Sequence, residues 1–477
     1  MAVSKVEHPT VEERKARGKG SREKTPVSSH AGWTPAADRP DPVALLEEQN
    51  LTREPDLVPV RHGRMLVSPF TFYRGAAKIM AADLKDTPRA GLITQLCGDA
   101  HLSNFGVFAS PERTLVFDLN DFDETLPGPF EYDVQRMSAS FTIAARNNGF
   151  SKKETRTVTL RAVQAYREAM TKFASMRTLD IWYARLSEQE LMSAMDLVVG
   201  TQKGKARKTA RGIEKTAQQN IAKARARDSL QARAKLAELV DGNYRIVSQP
   251  PIVIPARELG ESFGMSADEV QHVIREQLRS YRATLQDDRR QLLERYEVID
   301  VARKVVGVGS VGTRAYIALL QGRDQEDPLF LQVKEATKSV LEDHLPKSRF
   351  RQPGERVVQG QRMMQAASDI FLGWTKGQQE NRFLYWRQLR DMKGSAIVEA
   401  MTPLGMTFYA HACGWTLARA HARSGDPIAL AAYLGKSDKF DRSIADFSAR
   451  YADQNDRDYE AFVEAVRSGR LSAIEGV

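Results

Sequence analysis

Apolar residues recur at three- and four-residue spacings over long parts of the chain, and this spacing predicts amphipathic helices. The pattern is strongest after residue 133, in 134–148, 152–173 and 188–198, and it returns in 407–424 and 444–469. We therefore expect a large helical portion.

Shorter apolar runs rich in β-branched residues predict strands between these helices. Residues 91–97 and 115–119 form two such runs early in the chain, and 296–306, 315–320 and 329–334 form three more. A glycine-rich segment joins the first two of the later runs, and a turn at 321–328 joins the last two. Helices and strands together predict an α+β fold.

Two polar segments depart from both patterns. Residues 1–40 mix Lys, Arg and Glu with Ser, Gly and Pro and show no apolar periodicity, which predicts a disordered tail. Residues 201–235 contain 11 Lys and Arg against 2 acidic residues, which predicts one or two basic helices. Such a surface is a candidate for binding nucleic acid or another anionic partner, but a solvated face near an anionic substrate cleft is the alternative.

Length and cysteine content indicate the general class of protein. A chain of 477 residues can bury a large core divided between two or more lobes. With Cys97 and Cys413 alone, no disulfide framework is implied, and reduced thiols suit a cytoplasm. No apolar run approaches the roughly 20 residues that a membrane span needs, and the N-terminus lacks the apolar part of a secretion signal. We expect a cytoplasmic protein with no membrane partner.

The candidate chemistry begins at the segment Gly-Asp-Ala-His-Leu-Ser-Asn, residues 98–104, which precedes the strand at 115–119. Asp99 can orient or deprotonate an acceptor hydroxyl, while Asn104 and a carboxylate after the strand can hold Mg²⁺ against nucleotide phosphates. His101 is expected to pack within this loop. The competing interpretation is an acidic hairpin whose side chains cap turns. The carboxylates available after the strand are Asp118, Asp121 and Asp123.

This segment resembles the catalytic segment of aminoglycoside phosphotransferases and choline kinases, which read G-D-x-H-x-x-N, a short hairpin and an apolar strand that ends in Asp. The chain is identified as a member of an uncharacterised bacterial domain-of-unknown-function (DUF) family of the protein-kinase-like superfamily, over about residues 40–470. In the small-molecule kinases, another Asp anchors the catalytic loop from the next helix. Asp133 lies twelve residues beyond Asp121. The resemblance therefore implies metal binding by Asn104 and Asp121, with Asp123 as an additional ligand, and a scaffolding role for Asp133.

A second constellation lies downstream, where G-x-G-x-x-G at 307–312 connects two predicted strands and Lys334 lies late on the third. Strand-loop-strand context is typical of the kinase loop, whose amides cover phosphates, and not of a dinucleotide fold. An ordinary hairpin with a surface lysine is the alternative. The candidate nucleotide-binding residues are Gly307, Gly309, Ser310, Gly312 and Lys334.

Other residues have less certain places around this nucleotide. Glu355 is a candidate acidic partner of Lys334, although Glu335 and Glu342 are equally available. Residues 391–395 could line an adenine pocket, with Arg387 and Arg390 near it. Arginines that precede the catalytic loop could reach an anionic ligand, namely Arg61, Arg64 and Arg74. His411 and His421 lack a carboxylate ligand pattern, which favours packing over zinc binding.

The order of the two constellations is unusual, since the catalytic segment precedes the glycine loop and Lys334 by about two hundred residues. Together they imply a two-lobed, circularly permuted kinase-like fold. Its expected parts are the tail at 1–40, a catalytic-loop and helical lobe at 41–295, a β-rich nucleotide lobe at 296–395, and C-terminal helices at 396–477 that pack on the catalytic lobe.

The expected function is transfer of a phosphoryl group from ATP, with Mg²⁺, to an unidentified and small hydroxyl acceptor. Nucleotidyl transfer (AMPylation) on the same fold is one alternative. A non-catalytic protein that binds nucleotide or nucleic acid is the other.

Overall fold

The computed structural model describes residues 7–201, 204–262, 266–305, 307–377, 381–389 and 392–476. Arg390 and Asp391, which were expected near the adenine, lie outside these ranges. Within them the α-helices are α1 (Val11–Lys24), α2 (Pro42–Asn50), α3 (Val58–Leu66), α4 (Pro69–Gly75), α5 (Ala77–Leu84), α6 (Phe130–Asn147), α7 (Lys152–Phe173), α8 (Thr178–Tyr183), α9 (Glu188–Thr201), α10 (Gly204–Arg225), α11 (Ser229–Leu236), α12 (Ala256–Ser262), α13 (Ala267–Arg282), α14 (Asp287–Leu293), α15 (Pro353–Met364), α16 (Pro403–Ser424), α17 (Pro427–Leu434) and α18 (Lys439–Arg467).

The strands are distributed over one large and three small sheets. They are β1 (Ile93–Leu96), β2 (Phe105–Ala109), β3 (Leu115–Leu119), β4 (Leu126–Pro129), β5 (Leu186–Ser187), β6 (Ala237–Val240), β7 (Asn243–Ile246), β8 (Val253–Pro255), β9 (Glu297–Lys304), β10 (Ala315–Gln321), β11 (Pro328–Glu335), β12 (Gly373–Lys376) and β13 (Phe383–Gln388). The fold is thus mixed α+β, as expected, and the three strands predicted around the glycine loop are confirmed.

The largest hydrophobic core lies among α6, α7, α16 and α18. Ser151 and Glu154 form a capping box that starts α7 at the predicted residue. Helix α16 packs closely on α7 at Gly414, where a Cβ atom would overlap the backbone of Ala162. The C-terminal helices therefore pack on the helices that follow the catalytic segment.

The large sheet is antiparallel, with strand order β12-β13-β11-β10-β9-β8. Side chains of β11 alternate between its two faces, as the two-residue period of a strand requires. Leu331 and Val333 pack with α13 and α14 on one face, whereas Phe330 packs with α11 on the other. Lys334 shares the face of Phe330, and this face turns toward the helical part.

The basic segment forms α10 and most of α11. Exposed Lys and Arg side chains cover α10, while Ala232 and Leu236 of α11 are buried against the sheet. The sheet also begins earlier than the expected boundary at residue 296, because β8 pairs with β9.

The predicted disorder of residues 1–40 is wrong for the part of that segment described, 7–40. Thr10 and Glu13 form a capping box at the start of α1, and Arg22 donates a hydrogen bond of 2.6 Å to the carbonyl of Tyr433. Helix α1 packs on α17 at Gly18, where a Cβ atom would overlap the backbone of Ala429. This contact uses a glycine and not an apolar stripe, so hydrophobic periodicity could not reveal it.

Along the described chain, no helix combines the length and the apolar character needed to cross a membrane.

Candidate active site

The two constellations face one cleft of about 560 Å³. The loops after β1 and β3 lie on its helical side, and the glycine loop between β9 and β10 lies on its sheet side. Its walls include the following residues predicted from the sequence: Asp99, His101, Asn104, Asp121, Asp123, Gly307, Gly309 and Ser310.

The loop that carries Asp99 is fixed by backbone geometry. Gly98 has φ +84°, and a Cβ atom there would overlap the carbonyl oxygen of Glu124. The carboxylate of Asp133, on α6, accepts hydrogen bonds from the amides of Cys97 at 2.8 Å and Gly98 at 3.0 Å. Asp133 therefore anchors this loop from the next helix, in agreement with the position inferred for it.

Asp99 is held in one orientation by its neighbours. The Nε atom of Arg136 donates to its Oδ1 at 2.8 Å, and the amide of Asn104 donates to its carbonyl at 2.8 Å. This bond uses the Nδ2 group of Asn104 and leaves its Oδ1 atom as a ligand for a cation. His101 lies 3.7 Å from Asp99, and burial together with Arg136 and Arg74 lowers the pKa of His101 well below its usual range. Its imidazole is neutral.

The acidic loop after β3 meets Lys334 of the sheet. Lys334 Nζ donates to Asp123 Oδ2 at 2.6 Å and lies 3.8 Å from Asp121 Oδ2. The hydroxyl of Tyr385 donates to Asp123 Oδ1 at 2.7 Å. Both carboxylate oxygens of Asp123 are therefore occupied, while Asp121 keeps more freedom to bind a cation.

The charges in this group shift one another's ionisation. Burial opposes ionisation of Asp123, but Lys334, Tyr385 and Arg387 outweigh it and lower the pKa of Asp123. Burial and the nearby Asp123 raise the pKa of Asp121. Burial disfavours the ammonium of Lys334, yet the two aspartates raise its pKa. The cleft thus contains a fixed ion pair and, beside it, a second carboxylate with a stronger affinity for protons.

The glycine loop lies against residues that precede the catalytic segment. Gly307 and Gly312 have φ +66° and +86°, which glycine adopts without strain. Arg53 packs beneath Gly312 and donates to the carbonyl of Val311, and Ser310 Oγ lies 3.4 Å from Asp123 Oδ2. The loop therefore closes over the acidic residues.

Several expected contacts are absent or different. The carboxylates that contact Lys334 within the described chain are Asp121 and Asp123, so none of Glu335, Glu342 and Glu355 is its partner there. Glu335 instead pairs with Arg314 and Arg382. Helix α15, which carries Glu355, contributes an arginine. The guanidinium of Arg356 donates to the carbonyls of Thr125 at 2.6 Å and Asp123 at 2.7 Å, and so clamps the acidic loop.

The remaining residues proposed from the sequence divide into structural residues and residues near the cleft. Asp118 is buried in an ion pair with Arg419 and is structural. Arg61 is buried and bonded to Asn50, so it does not reach the cleft, whereas Arg74 lines it. Arg387 donates to the carbonyl of Asn120 beside the acidic loop. His411 packs in α16, and His421 bonds to Tyr166 and Asp133.

Sequence reasoning missed Arg136, Arg356 and Tyr385, because each lies in an element whose periodicity indicates only packing. It also missed Arg53, which lies in the turn after α2 without a motif around it. The twelve-residue spacing to Asp133 placed the anchor of the loop but gave no signal for Arg136, three residues further on.

The protein alone supplies only part of the oxygen ligands that Mg²⁺ needs. Among described residues, no group of three or more His, Cys, Asp or Glu side chains is arranged to hold a metal ion. Asn104 and Asp121 supply hard oxygen atoms on one side of the cleft, and Mg²⁺ in nucleotide sites commonly uses one or two carboxylates together with phosphate oxygens. The residues therefore fit a metal that arrives with a nucleotide.

One protein-family model matches residues 53–465. The chain belongs to that family. It is described as "Uncharacterized protein conserved in bacteria (DUF2252)", and the matched region includes residues 98–104, the glycine loop and Lys334. No curated protein and no solved structure is significantly similar to the chain.

Proposed function

We propose that this protein is a kinase-like phosphotransferase that uses ATP and Mg²⁺ to phosphorylate a small molecule with a hydroxyl group. The observation that supports this function best is the contact between Lys334 and the pair Asp121 and Asp123, more than two hundred residues earlier in the chain. Kinases carry this lysine on the third strand of the nucleotide lobe, with the glycine loop between the first two strands and acidic metal ligands opposite the lysine. Here the glycine loop joins β9 to β10, and β11 with Lys334 is the third strand of the series, which fits a permuted kinase-like arrangement.

The proposed reaction is a direct phosphoryl transfer. Asp99, held by Arg136, accepts the proton of the acceptor hydroxyl as its oxygen attacks the γ-phosphorus. A bond forms between that oxygen and phosphorus, the bond from phosphorus to the β–γ bridging oxygen breaks, and ADP is released. Lys334 and the amides of the glycine loop hold the phosphates. Mg²⁺ held by Asn104 and Asp121 would neutralise phosphate charge.

Thermal unfolding tests nucleotide and metal binding together. We expect ATP to raise the Tm much more with Mg²⁺ than with a chelator, since a ligand stabilises the state that it binds. The Asp121→Asn variant should lose the Mg²⁺-dependent part of this shift. Asp453→Asn, at an exposed position on α18, is the matched control and should keep it. Equal melting with and without millimolar MgATP would contradict the proposal.

Mass spectrometry with ATP and a metabolite extract tests the chemistry. Asp99→Asn should keep the MgATP shift but lower transfer by at least about a hundredfold, because the proton acceptor is lost. Undiminished transfer would show that Asp99 is structural. Phosphoryl transfer releases ADP, whereas nucleotidyl transfer by the same residues would release pyrophosphate and add 5′-AMP to the acceptor.

A further inference from the structure

Arg74 is an unpaired cation in the cleft that holds Asp99. It lies in the last turn of α4, and its side chain is half-buried. Among the described residues, no carboxylate comes within ion-pair distance of its guanidinium, and its buried Nε atom has no hydrogen-bond partner. Burial lowers the pKa of Arg74, and the charges of Glu399 and Asp99 oppose this shift.

Three of the other cations that line the same cleft pair with carboxylates, and Arg53 makes no ion pair within the described chain but donates a hydrogen bond to the carbonyl of Val311. Lys78 lies 2.8 Å from Glu48 and 3.3 Å from Asp343. Lys338 also pairs with Asp343, and Arg382 pairs with Glu335 at 2.7 Å. Arg74 differs from them because, among the described residues, its guanidinium has neither an ion pair nor a hydrogen bond.

Such a charge is costly unless something compensates it. A guanidinium taken partly out of water loses hydration, and the loss is recovered only by hydrogen bonds or an opposite charge. Its planar fork of N–H donors matches the two oxygens of a phosphate or carboxylate. The unpaired Nε atom and the space of the cleft therefore provide a place for an oxyanion.

Arg74 lies between the glycine loop and Asp99. A Cβ atom at Gly309 would come within 3.0 Å of the Arg74 carbonyl oxygen, and the carbonyl of the preceding Tyr73 accepts a hydrogen bond of 2.8 Å from Arg136, which also holds Asp99. Arg53 lies beneath the same loop at Gly312. With Arg53 and Lys334 as the proposed partners of the nucleotide phosphates, Arg74 remains for an anionic group beside Asp99.

We infer that the acceptor carries an anionic group, phosphate or carboxylate, which Arg74 binds while Asp99 engages the hydroxyl. This inference rests on the proposed function, and it narrows the substrate class to anionic hydroxy compounds such as sugar phosphates or hydroxy acids.

The test uses inorganic phosphate as the probe, titrated calorimetrically into the full-length protein saturated with a non-hydrolysable MgATP analogue. The wild-type protein should bind phosphate under these conditions. Arg74→Gln should bind at least about tenfold more weakly, as expected for a lost hydrogen bond to a charged group. Arg207→Gln, which removes an exposed arginine of α10, is the matched control and should bind like the wild type. A parallel titration with acetate distinguishes a phosphate from a carboxylate ligand.

A second readout is independent of the probe. Since Arg74 has no partner among the described residues, Arg74→Gln should unfold at the same temperature as the wild-type protein or higher. In the phosphate titration, Arg74→Lys should retain part of the affinity. Equal phosphate affinity in Arg74→Gln would overturn the inference, and so would phosphate binding that the saturating nucleotide abolishes. If phosphate binds through Arg74 but MgATP does not bind at all, the anion site stands and the phosphotransferase proposal fails.

Discussion

At the scale of single residues, the cleft separates two neighbouring aspartates into different roles. Lys334 and Tyr385 occupy both oxygens of Asp123 and keep it ionised. Asp121 has a raised pKa and a looser contact with the same lysine. Asp123 therefore holds the lysine in place, which leaves Asp121 as the better candidate of the two for the proposed metal site.

Glu124, which follows this pair, makes stability depend on pH. Its carboxylate accepts a hydrogen bond of 2.7 Å from the amide of Val340, and burial raises its pKa from 4.5 to about 7. The neutral acid thus stabilises the folded state, fully below pH 4.5, and this contribution disappears as the pH rises from 4.5 to 7. We expect Glu124→Gln, which stays neutral, to gain stability relative to the wild-type protein between pH 4.5 and pH 8, by at most about 3 kcal/mol.

Urea unfolding at the two pH values measures this gain. Glu238→Gln, at an exposed position on β6, is the control and should show none. A pH-independent difference for Glu124→Gln would mean that folding does not raise the pKa of Glu124.

At the scale of elements, the docking of α1 on α17 depends on close backbone approach. Gly18 faces Ala429 without space for a Cβ atom, whereas Gly20 on the same helix has open space around it. Gly20→Ala should therefore stabilise the protein by about 0.5–1 kcal/mol through better helix propensity. Gly18→Ala should destabilise it by about 1–3 kcal/mol through overpacking.

Tryptic digestion provides a second measurement, because α1 contains many Lys and Arg residues. Cleavage within α1 should be faster in Gly18→Ala than in Gly20→Ala. Equal cleavage of both variants would show that α1 does not dock through this face.

Elements with a strong local pattern could be predicted from the sequence. The bounds of α7 follow from its apolar periodicity, and the three strands around the glycine loop follow from their β-branched runs. The anchoring position of Asp133 follows from the resemblance to small-molecule kinases. The fold of residues 7–40 could not, because α1 is polar and docks through a glycine. The acidic partner of Lys334 could not be predicted either, because nothing in the sequence around β11 favours a distant aspartate over Glu335 or Glu355.

At the scale of the whole molecule, Lys334 links the sheet to the helical part. Lys334→Met would leave Asp121 and Asp123 without their cation, so we expect the free energy of unfolding to fall by about 3 kcal/mol at pH 7. Lys334 lowers the pKa of Asp123, so its contribution is present above the unfolded pKa of 3.8 and is lost as the pH falls below it. The difference between variant and wild type should therefore shrink in acid.

Lys338→Met is the matched control, because Lys338 is about half exposed and pairs with Asp343 at the surface. It should cost less than about 1 kcal/mol. Similar losses for the two variants in urea unfolding would show that the contact of Lys334 does not hold the two parts together.

Because Asp123 and Lys334 are 211 residues apart in the chain, they are synthesised at different times. A ribosome adds about 5–20 residues each second, so roughly 10–40 seconds separate the synthesis of the aspartate from that of its lysine. During this interval the acidic loop lacks the cation that later pairs with it. The cleft therefore cannot be completed until β11 has been synthesised, and α16 and α18, which complete the largest core, are made later still.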